Sequence, residues 1–151
     1  MNKTKPNKRR REIEFRYGLI TGWQFDMHIH AERPRGGSAQ RESRMYLELK
    51  GQLTKPLVGV TEFSILTFVS EEPKAGQGEV ASIGSLTRIK PSIQGGVDLS
   101  FAEFQTVIQM ASGQQLRSCY IAFQAPHRGH ALITSISFGS ALPDEDDMPG
   151  S

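Results

Sequence analysis

Apolar and polar residues alternate along this chain in a way that predicts one helix among many short strands. Ser100 and Glu103 form a capping-box pattern, in which each side chain satisfies a free amide at a helix start. Gly113 stands where a left-handed C-cap residue is expected. Between these signals, apolar residues recur at helical spacing: Phe101, Phe104, Val107, Ile108 and Ala111. The pattern therefore predicts a helix over 101–112 with one apolar stripe.

The N-terminal third of the chain carries two period-two alternations, each typical of a half-buried strand. The first covers 13–17, and Gly18 and Thr21-Gly22 predict a break after it. The apolar members of the second are Trp23, Phe25, Met27 and Ile29. We expect these four side chains to face the core, which would direct His28 and His30 to solvent.

Further alternations predict strands over most of the remaining chain, and the segments 116–124 and 131–138 are the most apolar. The segment 131–138 has apolar residues on both faces, which favours a central strand covered on both sides. The count is about eight or nine short strands with one helix. This predicts a mainly β fold, either an antiparallel β-sandwich or a partly open barrel, with the helix of 101–112 in a crossover. An α+β fold with the helix on one large curved sheet is the alternative.

Length and charge indicate one domain with charged ends. The chain has 151 residues and a net charge of +2. Basic residues concentrate in 1–11 and acidic residues in 144–147, so we expect a single β-rich domain over 12–140 between disordered tails at 1–11 and 141–151. The lone cysteine, Cys119, predicts a buried structural thiol and a reducing, cytoplasmic location. No apolar run is long enough to cross a membrane, so no membrane partner is expected.

A pair of histidines is the pattern closest to a metal site. His28 and His30 lie two apart on one strand face, where two imidazoles can reach one metal. Gly22 followed after five residues by His28-Ile29-His30 resembles the start of the cupin signature. The resemblance implies a barrel that binds a divalent transition metal through such a pair, a glutamate and a distant third histidine. His127, His130 and Glu48 are the candidates for an additional ligand.

Two loops are candidates for binding a partner. The segment 31–44 is rich in Arg, Gly and Ser, and its length is unusual for a loop of a compact domain. The segment 126–130 forms a tight turn between two apolar strands. Their candidate partner-binding residues are Arg33, Arg35, Arg41, Arg44, His127, Arg128 and His130.

A basic N-terminal tail is a candidate for contacting nucleic acid or an acidic partner. Its charged residues are Lys3, Lys5, Lys8, Arg9, Arg10 and Arg11.

The chain shows no arrangement typical of nucleophilic or acid–base catalysis. Cys119 has no basic neighbours in sequence, and no serine stands in a Gly-x-Ser-x-Gly motif. The leading hypothesis is therefore a non-enzymatic binding or assembly module, without a cofactor, that presents 31–44 and 126–130 to another protein or to a second copy of itself. The alternatives are a cupin-like metal-binding protein or enzyme using His28 and His30, and a nucleic-acid-binding protein using the basic tail.

Overall fold

The structure, a computed structural model, describes residues 12–70 and 81–142. Across these residues the chain forms seven β-strands and one α-helix. In chain order they are β1 (Ile13–Glu32), β2 (Gln40–Leu57), β3 (Val60–Val69), β4 (Gly84–Arg88), β5 (Ile93–Leu99), α1 (Phe101–Ser112), β6 (Ser118–Gln124) and β7 (Ala131–Gly139).

The strands form a closed barrel in the order β1-β2-β3-β5-β4-β7-β6, and β6 pairs back with β1. All neighbours are antiparallel except β3 and β5, which run parallel. The prediction of a mainly β fold with a single helix is confirmed. The described residues contain seven strands rather than eight or nine, and they close into a barrel instead of forming a sandwich.

The helix α1 begins and ends where the sequence predicts, but the left-handed conformation expected at Gly113 is found instead at Gln114, with φ 59°. The Ser100 hydroxyl accepts a hydrogen bond from the Glu103 amide at 3.2 Å, and the Glu103 carboxylate accepts one from the Ser100 amide at 2.8 Å. Phe104, Val107 and Ala111 are the buried members of its apolar stripe and pack into the core. The helix has 12 residues. No helix of the described residues is long and apolar enough to span a membrane.

The strand β1 is one continuous element where two strands were predicted. A bulge at Thr21 interrupts its register, because Ile20 pairs with Gly51 but Gly22 pairs with Lys50. The apolar alternation continues unchanged through the bulge, so the apolar side chains change face there. Before the bulge they lie on the outside of the barrel, and after it they lie on the inner face.

A second bulge corrects the prediction for β7. Ile133 pairs with Phe123 but Ser135 pairs with Ala122, so Thr134 is the extra residue. Ile133 before it and Ile136 after it therefore both contact the core, although residues three apart in a regular strand would face opposite sides. The strand is covered on its inner face, and the expectation of apolar cover on both faces was wrong.

The hydrophobic core is formed by aliphatic and aromatic side chains from the strands and from α1. Its largest fully buried members include Phe63, Phe104, Phe123, Leu47, Leu49, Ile65, Leu86 and Ile133. Cys119 is among the buried residues, as predicted.

Candidate functional site

The hairpin of β1 and β2 is longer than the barrel it belongs to. The strand β6 pairs with β1 only over Ile13–Leu19, whereas β2 pairs with β1 as far as Glu32. On the other side of the hairpin, β3 reaches along β2 only to Tyr46. We call residues 22–45 the arm: β1 has a free edge along all of it, and the hairpin is two-stranded beyond Asp26 and Tyr46. Within the described residues, β2 is the only strand that pairs with β1 along 22–32.

The arm carries four large apolar side chains that the barrel does not cover. Trp23, Phe25, Met27 and Ile29 are 45%, 40%, 55% and 45% exposed. We call these four residues the stripe. Cross-strand partners share a face, and Phe25 lies opposite the fully buried Leu47, so the stripe continues the inner face of the barrel. Our expectation that the core covers these residues was wrong, because the arm extends past the end of the barrel.

Helix α1 provides only a partial cover for the stripe. The rings of Phe25 and Phe104 have their centroids 6.1 Å apart, so α1 contacts the arm at that point. Phe101, in the first turn of α1, is itself exposed. The stripe is thus a lipophilic surface adjoining the core without being part of it.

The bulge at Thr21 also determines which main-chain groups the arm leaves unpaired. The Ile20 amide donates to the Arg117 carbonyl at 2.9 Å, so even-numbered residues before the bulge direct their amides and carbonyls toward β6. The extra residue reverses this parity. Beyond it, even-numbered residues bond to β2, and odd-numbered residues from Trp23 to Ala31 direct their amides and carbonyls to the free edge.

The outer face of the arm brings one histidine together with two carboxylates. His30 Nε2 lies 3.5 Å from Glu42 Oε2 and 3.9 Å from Glu32 Oε2. The three residues offer donor atoms that all lie within 4.8 Å of one another. His30 Nδ1 is buried without a hydrogen-bond partner. An imidazole nitrogen and two carboxylate oxygens are ligands suited to a divalent transition metal.

The other predicted metal ligands are placed differently. The rings of His28 and His30 have centroids 5.2 Å apart on the outer face of the arm, whereas a cupin holds its metal inside the barrel. Glu48 lies opposite Gln24 and forms an ion pair with Lys50 at 3.2 Å. Glu42 could not be identified from the sequence, because its proximity to His30 depends on the register of the hairpin.

The predicted 31–44 loop is shorter in the structure. The strands continue to Glu32 and resume at Gln40, so only 33–39 connects them. Arg33 and Arg35 lie in this connection and are exposed. Arg41 and Arg44 belong to β2, opposite Ala31 and His28 respectively.

The 126–130 turn lies at the far end of β1 from the tip of the arm. His127 and His130 exchange two backbone hydrogen bonds, of 2.8 and 3.0 Å, around Arg128 and Gly129. The Ala125 amide bonds to the Glu12 carbonyl, beside the start of β1. At the rise of a strand, the 20 residues of β1 separate the two predicted binding loops by roughly 60 Å of chain. They do not form one surface.

The basic tail of 1–11 lies outside the described residues, and its predicted contact with nucleic acid stays a prediction. The acidic segment from 143 onward also lies outside the described residues, so the disorder predicted for it stays a prediction.

A groove of about 860 Å³ crosses the outer face of β2, β3, β5 and β4. Its lining includes Glu48, Lys50, Ser64, Gln94 and Asp98. These groups can form hydrogen bonds, and the lining contains neither histidine nor cysteine.

A second exposed apolar patch lies on the outside of the barrel. Phe15 stacks on Tyr120 with ring centroids 5.7 Å apart, and Tyr17 contacts the same ring at 4.6 Å. Here β1 is paired with β6, so no strand edge accompanies the aromatic surface. The arm differs because it combines exposed apolar side chains with unpaired main-chain groups.

The one cysteine of the chain is unsuited to nucleophilic chemistry. Burial raises the pKa of the Cys119 thiol from its ordinary 9.0 to about 12, and a backbone hydrogen bond with Gly18 only partly opposes the rise. The reactive thiolate is therefore absent near neutral pH.

Comparisons of the chain with protein-family models, with curated proteins and with solved structures find no match.

Proposed function

We propose that this protein is a non-enzymatic assembly module that binds an extended segment of another polypeptide along its arm. The observation that carries the proposal is the coincidence of the stripe with a strand edge unpaired by any described residue. Strand addition to such an edge uses main-chain hydrogen bonds for affinity and side-chain contacts for specificity.

The arm leaves two kinds of interaction without a partner in the described residues: main-chain hydrogen bonds along the edge of β1 and apolar contacts along the stripe. A partner strand would pair with the free amides and carbonyls of the odd-numbered residues, and its own apolar side chains would cover the stripe. Burying apolar surface contributes roughly 25 cal/mol per Å². Four partly exposed large side chains therefore provide the main driving force, and the hydrogen bonds fix the register.

A substitution of Met27 separates edge pairing from apolar contact alone. The Met27 amide points to the free edge, so Met27→Pro removes a donor that β2 does not use. Met27→Ala is the matched control, since it shortens the side chain and keeps the amide. A displayed library of random 12-residue peptides, selected on the wild-type chain, supplies the ligands.

We expect selected peptides to alternate apolar and polar residues and to shift the emission of Trp23, the only tryptophan, to shorter wavelength. Their affinity should fall at least about tenfold in Met27→Pro and clearly less in Met27→Ala. Peptides that bind the proline variant as well as the wild type, or a library that yields no binder, would contradict the proposal.

A second function is favoured by the cluster of His30, Glu32 and Glu42: binding of a divalent transition metal at the outer face of the arm. Support comes from the convergence of three donor atoms, one imidazole nitrogen and two carboxylate oxygens, which are ligand types that such metals prefer.

Calorimetric titration of the untagged chain with zinc and, separately, with manganese tests the metal proposal. His30→Ala and Glu42→Gln should abolish any binding, whereas His28→Ala should retain most of it, since His28 is outside the cluster. Binding that survives both cluster variants, or no binding to the wild type, would refute it.

A further inference from the structure

The free edge of β1 is centred on Met27, and the amide and carbonyl of this residue point away from β2. The segment without a described partner on this edge runs from 22 to 32, so Met27 is its midpoint. The main-chain groups of Met27 point outward, as do those of Phe25 and Ile29. An identical strand, antiparallel and related by a two-fold axis at Met27, would meet these groups in hydrogen-bonded pairs.

We propose that the polypeptide bound by the arm is the arm of a second copy, paired through β1 about a two-fold axis at Met27. This inference rests on the proposed function and names its partner. It pairs Met27 with Met27, Phe25 with Ile29 and Trp23 with Ala31 of the second copy. About ten main-chain hydrogen bonds form across the axis, and the two stripes become neighbours on one face.

The polar face of the arm is complementary in the same register. Asp26 lies opposite His28 of the second copy, and Gln24 lies opposite His30. Because of the two-fold symmetry, each pair occurs twice. Opposite charges and hydrogen-bonding groups in directly opposed positions stabilise a sheet, and like charges destabilise it.

Neighbouring registers give a shorter pairing and less complementary side chains opposite each other. A two-fold axis always pairs residues of equal parity, so it can pass through an odd- or an even-numbered residue. An axis at Asp26 or at His28 would oppose that side chain to its own copy, which places like groups together, and would also shorten the pairing. An axis at Ile29 would oppose Asp26 to Glu32 and His28 to His30, which places like groups together. An axis at Phe25 would restrict pairing to 22–28, because Ile20 already bonds to Arg117. Met27 therefore allows the longest pairing and the best complementarity.

The symmetry also limits the assembly to two copies. A two-fold interface uses the same patch on both subunits and closes on itself, whereas an unsymmetrical edge contact would continue into fibres. Long exposed edges are an aggregation hazard that folded proteins usually cover. Pairing of the two arms covers this one.

Site-directed disulfide formation tests the register. Paired antiparallel residues of the hydrogen-bonded type lie about 5.5 Å apart at Cα, within the range that a disulfide spans. Cys119 is buried and will not compete. In a glutathione redox buffer, Met27→Cys should form a covalent dimer about tenfold faster or more than Leu132→Cys, an exposed control on β7.

Two further cysteine variants check the spacing. Phe25→Cys and Ile29→Cys should each cross-link slowly alone, and their equimolar mixture should cross-link rapidly into the mixed dimer. Fast cross-linking of either variant alone would overturn the register at Met27. Cross-linking of Met27→Cys no faster than the Leu132→Cys control would overturn pairing with a second copy.

The peptide selection distinguishes a failure of self-pairing from a failure of the proposed function. If peptides bind the edge in a Met27→Pro-sensitive way but Met27→Cys fails to cross-link, the arm binds a different strand and self-pairing is wrong while the proposed function stands. If both experiments fail, the proposed function falls as well. Circular dichroism of each variant verifies that the barrel is intact.

Discussion

The buried thiol of Cys119 predicts a specific loss of stability at alkaline pH. In the folded protein its pKa is raised to about 12, whereas in the unfolded chain the pKa returns to its ordinary 9.0. Between these values the unfolded chain releases the proton and the folded protein keeps it. Because the unfolded state then binds fewer protons, stability falls as pH rises above about 9.

The magnitude follows from the two pKa values. At pH 8 both states hold the proton, and at pH 10 the unfolded thiol is mostly ionised while the folded thiol is not. One pKa unit corresponds to about 1.4 kcal/mol, so unfolding should become easier by about 1.4 kcal/mol between pH 8 and pH 10 through this group alone.

Denaturant unfolding at the two pH values, followed by circular dichroism, measures the effect. Other groups titrate in this range too, so the comparison is with Cys119→Ala, which shares them but lacks the thiol. The wild type should lose about 1.4 kcal/mol more than the variant does. Equal losses in the two proteins would show that the thiol is not held protonated by burial, and would refute its place inside the barrel.

Four further substitutions, one of them a control, test three local features of the fold, each by its free energy of unfolding. A Cβ at Gly51 would lie 2.0 Å from the Leu19 carbonyl oxygen, so Gly51→Ala should cost more than about 2 kcal/mol, while Gly22→Ala, whose Cβ meets nothing within 4 Å, should change stability by less than about 0.5 kcal/mol. Equal effects of the two would contradict the register at the bulge. Ser100→Ala should cost about 1 kcal/mol by removing the α1 cap, and an unchanged stability would exclude the capping box. Val58 has φ 50° in the turn before Gly59, a conformation that a β-branched residue tolerates poorly, so Val58→Asn should stabilise the protein by about 1 kcal/mol, and destabilisation would count against this turn.

The features that the sequence predicted well are those determined by local interactions. The capping residues and the apolar spacing of 101–112 lie within a few residues of each other, so α1 could be placed at both ends. The alternation in β1 likewise identified each half of that strand. Such signals need no knowledge of what the rest of the chain does.

The features that the sequence did not predict depend on register between distant segments. The bulge at Thr21 leaves the alternation unbroken but moves the stripe from one face to the other, and single-residue shifts of this kind leave no compositional trace. The exposure of Trp23 and Met27 depends on where β6 begins, almost a hundred residues later in the chain. The meeting of His30 with Glu42 requires the pairing of the hairpin.

Amide hydrogen exchange along β1, resolved residue by residue by NMR, tests the central claim most directly. In the dilute, unbound chain the odd-numbered amides of Trp23, Phe25, Met27 and Ile29 should exchange rapidly, while the even-numbered amides of Gln24, Asp26 and His28, bonded to β2, are protected. Addition of a selected peptide, or an increase in protein concentration where the arms self-pair, should protect the odd-numbered amides and remove the alternation. Equal protection of odd and even amides in the dilute chain, or an alternation that persists in the bound state, would contradict the account of the arm as a free edge that binds a strand.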